Sequence, residues 1–123
     1  MNNNITEDYC SFEVSKLLKE KGFDIALPTW YDNDGLEGYA QMKEKFYIFC
    51  TRPTHALAIK WIRENFGIWI FARTVILPGV TKFESVIDTP GKVSRFLNNG
   101  LEYYNLSEEA TEAALLYSLT NLI

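Results

Sequence analysis

The sequence lacks the residue patterns that most often identify an enzyme or a metal site. It has one histidine and two cysteines, and Cys10 and Cys50 form no CxxC or Cys/His cluster of the kind that binds zinc. Walker-type, GxGxxG and GxSxG patterns are absent as well. We therefore expect no cofactor and no metal, and we interpret both cysteines as reduced and buried.

Three further absences concern partners and location. The net charge is −4, so the chain lacks the overall basic charge usual in proteins that bind duplex DNA, and a nucleic-acid-associated regulator, which would need a clustered Lys/Arg face, is the weakest of three hypotheses. The longest apolar stretch is broken by Arg73 and is far shorter than the ~20 residues that span a bilayer. The first ten residues, MNNNITEDYC, lack the basic and apolar segments of a signal peptide. These features predict a cytoplasmic protein with neither a nucleic-acid partner nor a membrane span.

The most regular stretch of the chain is 53–77. Thr51 or Thr54 can cap a helix here, and Gly67 ends it. The apolar residues of this helix share one face: Ala58, Trp61, Ile62 and Phe66. The run 68–72 then predicts a strand that is covered on both faces and lies at the centre of the sheet.

Turn signals and alternation predict the elements that follow the central strand. Pro78-Gly79 fits the middle of a type II turn, and 81–88 alternates as a half-buried antiparallel strand. Pro90-Gly91 marks another turn. Asn99-Gly100 fits a hairpin between 92–97 and 101–104, with an irregular loop as the alternative. A last helix, 108–121, is capped by Ser107, and its alanines predict close packing.

The first third of the chain predicts a helix followed by two strands. Thr6 can cap a helix over 6–21, which Gly22 ends with Phe23 contacting Leu18. A strand over 23–31, weakened by Pro28, precedes a turn at 32–35 and a return strand within 36–50. Asp34-Gly35 fits a tight hairpin turn.

The turn at 32–35 also has the start of a calcium-binding loop, Asp-Asn-Asp-Gly. With Gly35 at the sixth loop position, Trp30 occupies the first and Gln41 the twelfth, where the loop requires Asp and Glu. A hairpin turn is therefore the better interpretation.

Together these elements predict an α+β fold with three helices packed on a mostly antiparallel sheet of four to six strands, in the order α-β-β-α-β-β-(β)-α. The length of 123 residues suits a single domain, and residues 1–5 are expected to be a flexible tail.

Three blocks of the chain together resemble a protein family. They are CSFEVSKLLKEKGFDIALPTWYDNDG (10–35), PTHALAIKWIRENFGIWI (53–70) and SEEATEAALLYSLTNLI (107–123). In this order they resemble small uncharacterised proteins of gut Bacteroidales, their prophages and mobile elements. The chain departs from the family pattern at Leu106-Ser107 and matches little in 36–50 and 78–105. The resemblance implies an origin and an architecture, but no activity and no site residue.

Paired aromatic residues are the best indication of function. Trp30-Tyr31 and Tyr103-Tyr104 are adjacent, and neighbouring strand residues point to opposite faces of a sheet. If helices cover one face only, one member of each pair is exposed, and large exposed aromatics mark interfaces. We therefore predict a non-enzymatic accessory protein that acts through protein contacts, including self-association.

The alternative hypothesis is a small enzyme or ligand-binding protein. Cys50 precedes a helix N-terminus that can lower a thiol pKa, and His55 lies in the first turn of that helix. Arg73 interrupts an apolar strand, so it must pair with a carboxylate, reach solvent or bind a ligand. Against this, His55 fits a surface helix position, and Cys50 fits a buried one.

Overall fold

A computed structural model describes residues 5–40, 48–92, 95–96 and 103–123. The chain divides into two compact units, Met1–Ala58 and Ile59–Ile123. The α+β class and the three helices are confirmed, and the strand pairs of the described residues are antiparallel. That the whole chain is a single domain stays a prediction. The elements in chain order are α1 (Phe12–Glu20), β1 (Thr29–Tyr31), β2 (Glu37–Tyr39), β3 (Cys50–Thr51), α2 (His55–Phe66), β4 (Trp69–Leu77), β5 (Val80–Asp88), β6 (Arg95–Phe96) and α3 (Ser107–Asn121).

The described strands form two three-stranded sheets, ordered β2-β1-β3 and β4-β5-β6, where one sheet of four to six strands was predicted. The return segment 36–50 accounts for part of the difference. It contributes two short strands, β2 and β3, which pair with opposite sides of β1. Strand β1 is therefore the middle strand of a small three-stranded sheet within the first unit. The stretch 41–47, including the expected loop at 42–45, lies outside the described residues.

Helix α1 begins later than predicted, because Ser11 and not Thr6 is its cap. The Ser11 hydroxyl accepts a hydrogen bond from the Val14 amide at 3.1 Å. The residues before Ser11 are instead held in an extended conformation against the segment that leads into α2. The Cys10 amide donates to the Pro53 carbonyl at 2.9 Å, and Tyr9 forms an antiparallel bridge with Thr54.

The predicted closure of α1 is confirmed. Gly22 has a φ of +102°, a left-handed conformation that glycine adopts without strain. The Phe23 amide donates to Leu18 at 2.9 Å, and the Gly22 amide donates to Lys19 at 3.1 Å. These two bonds define a Schellman motif, which satisfies carbonyls that the helix end would otherwise leave unpaired. Phe23 and Leu18 are both buried.

The turn between β1 and β2 is present, with a loop one residue longer than a tight Asp34-Gly35 hairpin. The Asp32 amide donates to the Leu36 carbonyl at 3.0 Å, so Asp32 and Leu36 still pair and three residues lie between them. One carboxylate oxygen of Asp32 accepts from the amides of Asp34 and Leu36, each at 2.9 Å. This carboxylate therefore fixes the loop backbone.

In the second unit, Pro78-Gly79 forms the predicted turn. Leu77 pairs directly with Val80, and Gly79 has a φ of +74°, as the third position of a type II turn requires. Pro90-Gly91 is also a turn: Gly91 has a φ of +82°, and the Lys92 amide donates to Thr89 at 3.0 Å.

Helix α3 covers one face of the second sheet. The Ser85 hydroxyl donates to the Ala110 carbonyl at 2.6 Å, so strand and helix approach closely at small residues, as the alanines predicted. Ile70 and Ile87, which are paired with each other, are buried and share this face with Ser85. The helix starts at Ser107, and the cap position is Leu106, whose amide donates to the Glu109 carboxylate at 3.1 Å. The prediction that Ser107 is the cap was wrong.

Among the strands of the described residues, β4 lies at the edge of its sheet, so the prediction of a central strand covered on both faces was wrong. Strand β5 lies in the middle, with β4 on one side. Along β4 buried and exposed residues alternate near its start: Ile70 is buried, whereas Trp69 and Phe71 are exposed. An apolar run can occur in a strand that is buried on both faces. It can also occur in a strand whose aromatic side chains are exposed on one face, so the run alone does not decide between the two.

The segments on either side of the predicted Asn99-Gly100 turn run in the same direction. Strand β6 pairs antiparallel with Val86 and Ile87, and Tyr104 forms an antiparallel bridge with Phe83 of the same strand. The two arms of a hairpin run in opposite directions, so these segments are not two arms of one hairpin. Residues 97–102, which contain the proposed turn, lie outside the described residues.

Helix α2 is capped by Thr54, the second of the two predicted candidates. Its hydroxyl accepts from the Leu57 amide at 3.2 Å, and Pro53 lies just before the cap. The helix ends at Phe66, and Gly67 follows with a φ of +67°. Ala58 and Ile62 of the predicted apolar face are buried, whereas Phe66 is exposed.

We predict that Gly38→Ala destabilises the first sheet, because the Trp30 ring lies across Gly38. A Cβ atom at position 38 would lie 2.2 Å from Trp30 Nε1. Overpacking of this kind costs about 1–3 kcal/mol of unfolding free energy, which urea denaturation would measure. The control is Trp30→Phe combined with Gly38→Ala. If the smaller ring does not reduce the cost of adding the methyl group, the steric explanation is wrong.

Candidate functional site

The aromatic pair Trp30-Tyr31 is not a surface feature. The exposed fractions of these residues are 8% and 5%, so the prediction that one of them emerges from the sheet was wrong. Tyr31 lies beneath α1: its ring centroid is 5.5 Å from that of Phe12, and its hydroxyl donates to the Cys10 carbonyl at 2.6 Å. Trp30 lies across Gly38. Both residues belong to the core of the first unit, and neither is available as an interface residue.

The second pair, Tyr103-Tyr104, differs from the first. Tyr103 is exposed and Tyr104 is half-buried. The backbone of Tyr104 exchanges two hydrogen bonds with Phe83, at 2.7 and 2.8 Å, so Tyr104 extends the sheet beside β5. One member of this pair therefore reaches the surface. A role for it in an interface stays a prediction.

The Cys50 thiol is not activated. Cys50 is buried, and burial raises the pKa of its thiol above the ordinary value, although Lys19 and Lys16 act in the opposite direction. A nucleophilic cysteine requires a lowered pKa, because the thiolate is the reactive form. The geometry of Cys50 is thus that of a structural residue at the start of β3.

His55 and Arg73 are each held in place within their own unit. His55 is buried, so the interpretation as a surface residue was wrong, and its backbone amide donates to the Asp8 carbonyl at 2.8 Å. Arg73 forms an ion pair with Glu84, with 2.7 Å between Nε and Oε1. Cys50 and His55 belong to the first unit, and Arg73 belongs to the second.

The sequence did not reveal a cluster around Arg52 in the first unit. The Arg52 guanidinium lies 4.1 Å from the ring centroid of Tyr9 and 5.7 Å from that of Tyr31. It also lies 3.4 Å from a carboxylate oxygen of Glu37. Burial raises the pKa of Tyr31, and Arg52 partly opposes that shift. The cluster brings together three segments that are distant in the chain: the one with Tyr9, the hairpin with Tyr31 and Glu37, and the one with Arg52. No residue spacing in the sequence indicates this contact.

Neither a metal site nor a membrane span is found in the described part of the chain. There, no group of three His, Cys, Asp or Glu residues is placed to hold a metal ion. No helix in the same residues is both long enough and apolar enough to cross a bilayer. A shallow depression of about 360 Å³ lies beside the turn after β5, and its lining contains none of Cys50, His55 and Arg73.

The outer edge of β4 presents backbone groups that none of the described strands uses. The amide and carbonyl of Phe83 bond to Tyr104, so Phe83 and its other partner, Thr74, do not bond to each other. Bonded and non-bonded pairs alternate along an antiparallel ladder, so every second residue of β4 directs its amide and carbonyl outward. These outward residues are Ile70, Ala72, Thr74 and Ile76.

Large apolar side chains are exposed along the same strand. The exposed fractions are 49% for Trp69, 42% for Phe71 and 83% for Ile76. The Arg63 guanidinium lies 4.8 Å from the Trp69 ring centroid. On the face shared with Trp69 and Phe71, Val86 of β5 is buried, so this exposure is specific to the outer strand. We call this strand, with its outward backbone groups and exposed side chains, the β4 edge.

Comparisons with known proteins return no match among protein-family models, curated proteins or solved structures. The candidate site therefore depends on geometry alone, and we take the β4 edge, with its outward backbone groups and exposed apolar side chains, as the candidate interface.

We predict that Cys50 reacts slowly with iodoacetamide in the folded protein at pH 7. Burial keeps the thiol protonated, so the rate should rise only as the pH passes above the ordinary thiol pKa. Peptide mass spectrometry would follow Cys50 separately from Cys10, with urea-unfolded protein as the control. Rapid alkylation of folded Cys50 below pH 7 would contradict this and would favour the enzyme hypothesis.

Proposed function

We propose that this protein is a non-enzymatic accessory protein of phage or mobile-element origin that acts through protein contacts, by self-association along the β4 edge. The origin is supported by the three sequence blocks that resemble the Bacteroidales family. The contact is supported by one observation: a nine-residue edge strand with outward backbone groups and exposed aromatic side chains.

The β4 edge lacks the features that usually protect an edge strand. Such strands are commonly short, bulged, interrupted by proline or lined with lysine. Strand β4 pairs with β5 without a break from Trp69 to Leu77 and contains neither proline nor lysine. Its single charged residue, Arg73, is paired with Glu84. A strand of this kind is suited to adding another strand.

We infer that the partner is a second copy of the chain, because two β4 edges are complementary to each other. Two β4 strands, placed antiparallel about a two-fold axis, would satisfy each other's outward amides and carbonyls. The β4-β5-β6 sheet of one copy and the β4-β5-β6 sheet of the other would then form one continuous six-stranded sheet. The exposed aromatic side chains of each copy would lie within the contact, and Arg73 is the one charged residue of β4.

The alternative, an enzyme or ligand-binding protein using Cys50, His55 and Arg73, has less support. The pKa of Cys50 is shifted in the direction opposite to activation, and Arg73 is paired with Glu84. A retained small molecule in native mass spectra would be the observation that favours this alternative.

We predict that Thr74→Pro converts a dimer into a monomer and leaves the fold intact. Thr74 is exposed, and its amide points outward, so proline removes a hydrogen bond from the contact and none from the sheet. Native mass spectrometry across protein concentrations would measure the dimer fraction, and thermal unfolding would measure the stability.

Two matched variants control for this substitution. Thr74→Ala keeps the amide and should keep the dimer. Val75→Pro removes an amide that bonds to β5, so it should lower the melting temperature. If the wild-type protein is monomeric at every concentration, or if Thr74→Pro remains as dimeric as Thr74→Ala, self-association through the β4 edge is wrong.

A further inference from the structure

We propose that Arg73 sets the register of this self-association, with Ala72 opposite Ala72 of the second copy. The inference rests on the proposed function, since it concerns how two β4 edges pair. It assigns Arg73 a role in specificity that its ion pair with Glu84 does not by itself suggest.

The alternation of backbone groups limits the possible registers. In a two-fold antiparallel pair, an outward residue must lie opposite another outward residue. The axis must therefore pass beside a single residue, which lies opposite its own copy. Near the middle of β4 the candidates are Phe71, Ala72, Arg73 and Thr74.

A register centred on Arg73 overlaps all of β4 but places two like charges face to face. Arg73 bonds to β5 through its backbone, so across the new contact it would occupy a non-hydrogen-bonded pair. Side chains in such pairs are the closest in a sheet, and like charges directly opposite are destabilising. Each Glu84 carboxylate already lies against its own Arg73, on the β5 side. This register is therefore disfavoured.

The registers centred on Phe71 and Thr74 are each disfavoured for a different reason. Each opposed outward pair exchanges two backbone hydrogen bonds, so centring on Phe71 gives about four of them, and centring on Ala72 or Thr74 gives about six. Centring on Thr74 leaves Trp69 beyond the end of the opposing strand. Trp69 is one of the exposed side chains that the contact should cover.

The register centred on Ala72 keeps both exposed aromatics, Trp69 and Phe71, within the contact and avoids the like-charge pair, although Ile76 then lies beyond the end of the opposing strand. It places Arg73 opposite Phe71 of the second copy, and the two-fold axis repeats this contact. A guanidinium beside an aromatic ring is attracted to it, so the only charge on the strand meets a compatible neighbour. Trp69 lies opposite Val75 of the second copy. Arg73 is thus attracted to Phe71 of the second copy in the register centred on Ala72. In the register centred on Arg73, it is repelled by Arg73 of the second copy.

Cysteine cross-linking tests the register directly. Opposed residues of a hydrogen-bonded pair have Cα atoms about 5.5 Å apart, within the range that a disulfide spans. We expect Ala72→Cys alone to form a disulfide-linked dimer under mild oxidation, and Thr74→Cys alone to form none. Mixing the two variants tests the Arg73-centred register, in which residue 72 lies opposite residue 74. Native Cys10 and Cys50 are buried, and unmodified protein is the blank.

The role of Arg73 is tested by removing its charge. The combined substitution Arg73→Gln and Glu84→Gln avoids leaving the buried carboxylate unpaired. In this background we expect the main cross-linked product to shift from the Ala72→Cys dimer to the mixed Ala72→Cys and Thr74→Cys dimer. A purely structural role for the ion pair would lower stability without this shift.

The outcomes separate the two proposals. If native mass spectrometry shows a dimer that Thr74→Pro dissociates, but Ala72→Cys does not cross-link, the register is wrong and the proposed function stands. If the neutral pair leaves the cross-linking pattern unchanged, Arg73 does not set the register. If no variant and no wild-type sample dimerises, both the register and the proposed function are overturned.

Discussion

The two-residue turn at Pro78-Gly79 determines how the second unit is arranged. By pairing Leu77 with Val80, it places Arg73 opposite Glu84 and Ala72 opposite Ser85. A shift of one residue would turn every side chain to the other face of the sheet. The Arg73–Glu84 ion pair and the contact of Ser85 with α3 both depend on this register, and each would oppose a slip.

The same register leaves β4 with backbone amides and carbonyls that do not bond to β5. Strand β5 has β4 on one side, and β6 and Tyr104 on the other. The pairing with β5 uses alternate residues of β4 and directs the remaining amides and carbonyls outward. Helix α3 covers one face, and the aromatic side chains of β4 emerge on the opposite face. Unused backbone groups and exposed apolar surface therefore coincide on one strand, which is the basis of the proposed contact.

Features that depend on a few neighbouring residues could be predicted from the sequence. The end of α1 at Gly22 and the turn at Pro78-Gly79 both require a positive φ, which glycine supplies at little cost. The start of α1 could not be predicted from neighbouring residues, because Thr6 and Ser11 are both good N-cap residues. The choice between them depends on the pairing of Tyr9 with Thr54, far along the chain.

The candidate site shows the same division between local and distant information. Adjacent aromatics do point to opposite sides at β1, yet both are buried, because Tyr31 meets α1 and Trp30 meets Gly38. Neither contact has a signal in the local sequence. Two exposed aromatics, Trp69 and Phe71, were instead in the apolar run that suggested a central strand. Position within a sheet is set by distant pairing partners, so composition alone could not identify β4 as the edge.

The geometry of the second unit also bears on how far association would extend. Pairing along β4 uses the long edge of each copy once, and the two-fold axis places both long edges inside the contact. In the part of the chain that the structure describes, the opposite side of the sheet is formed by β6, Arg95–Phe96, and by the bridging residue Tyr104, which offer few residues for further pairing. Self-association through β4 would therefore close at two copies rather than continue as a filament. A single charged residue in β4 would then suffice to select the register, because only one contact has to be specified.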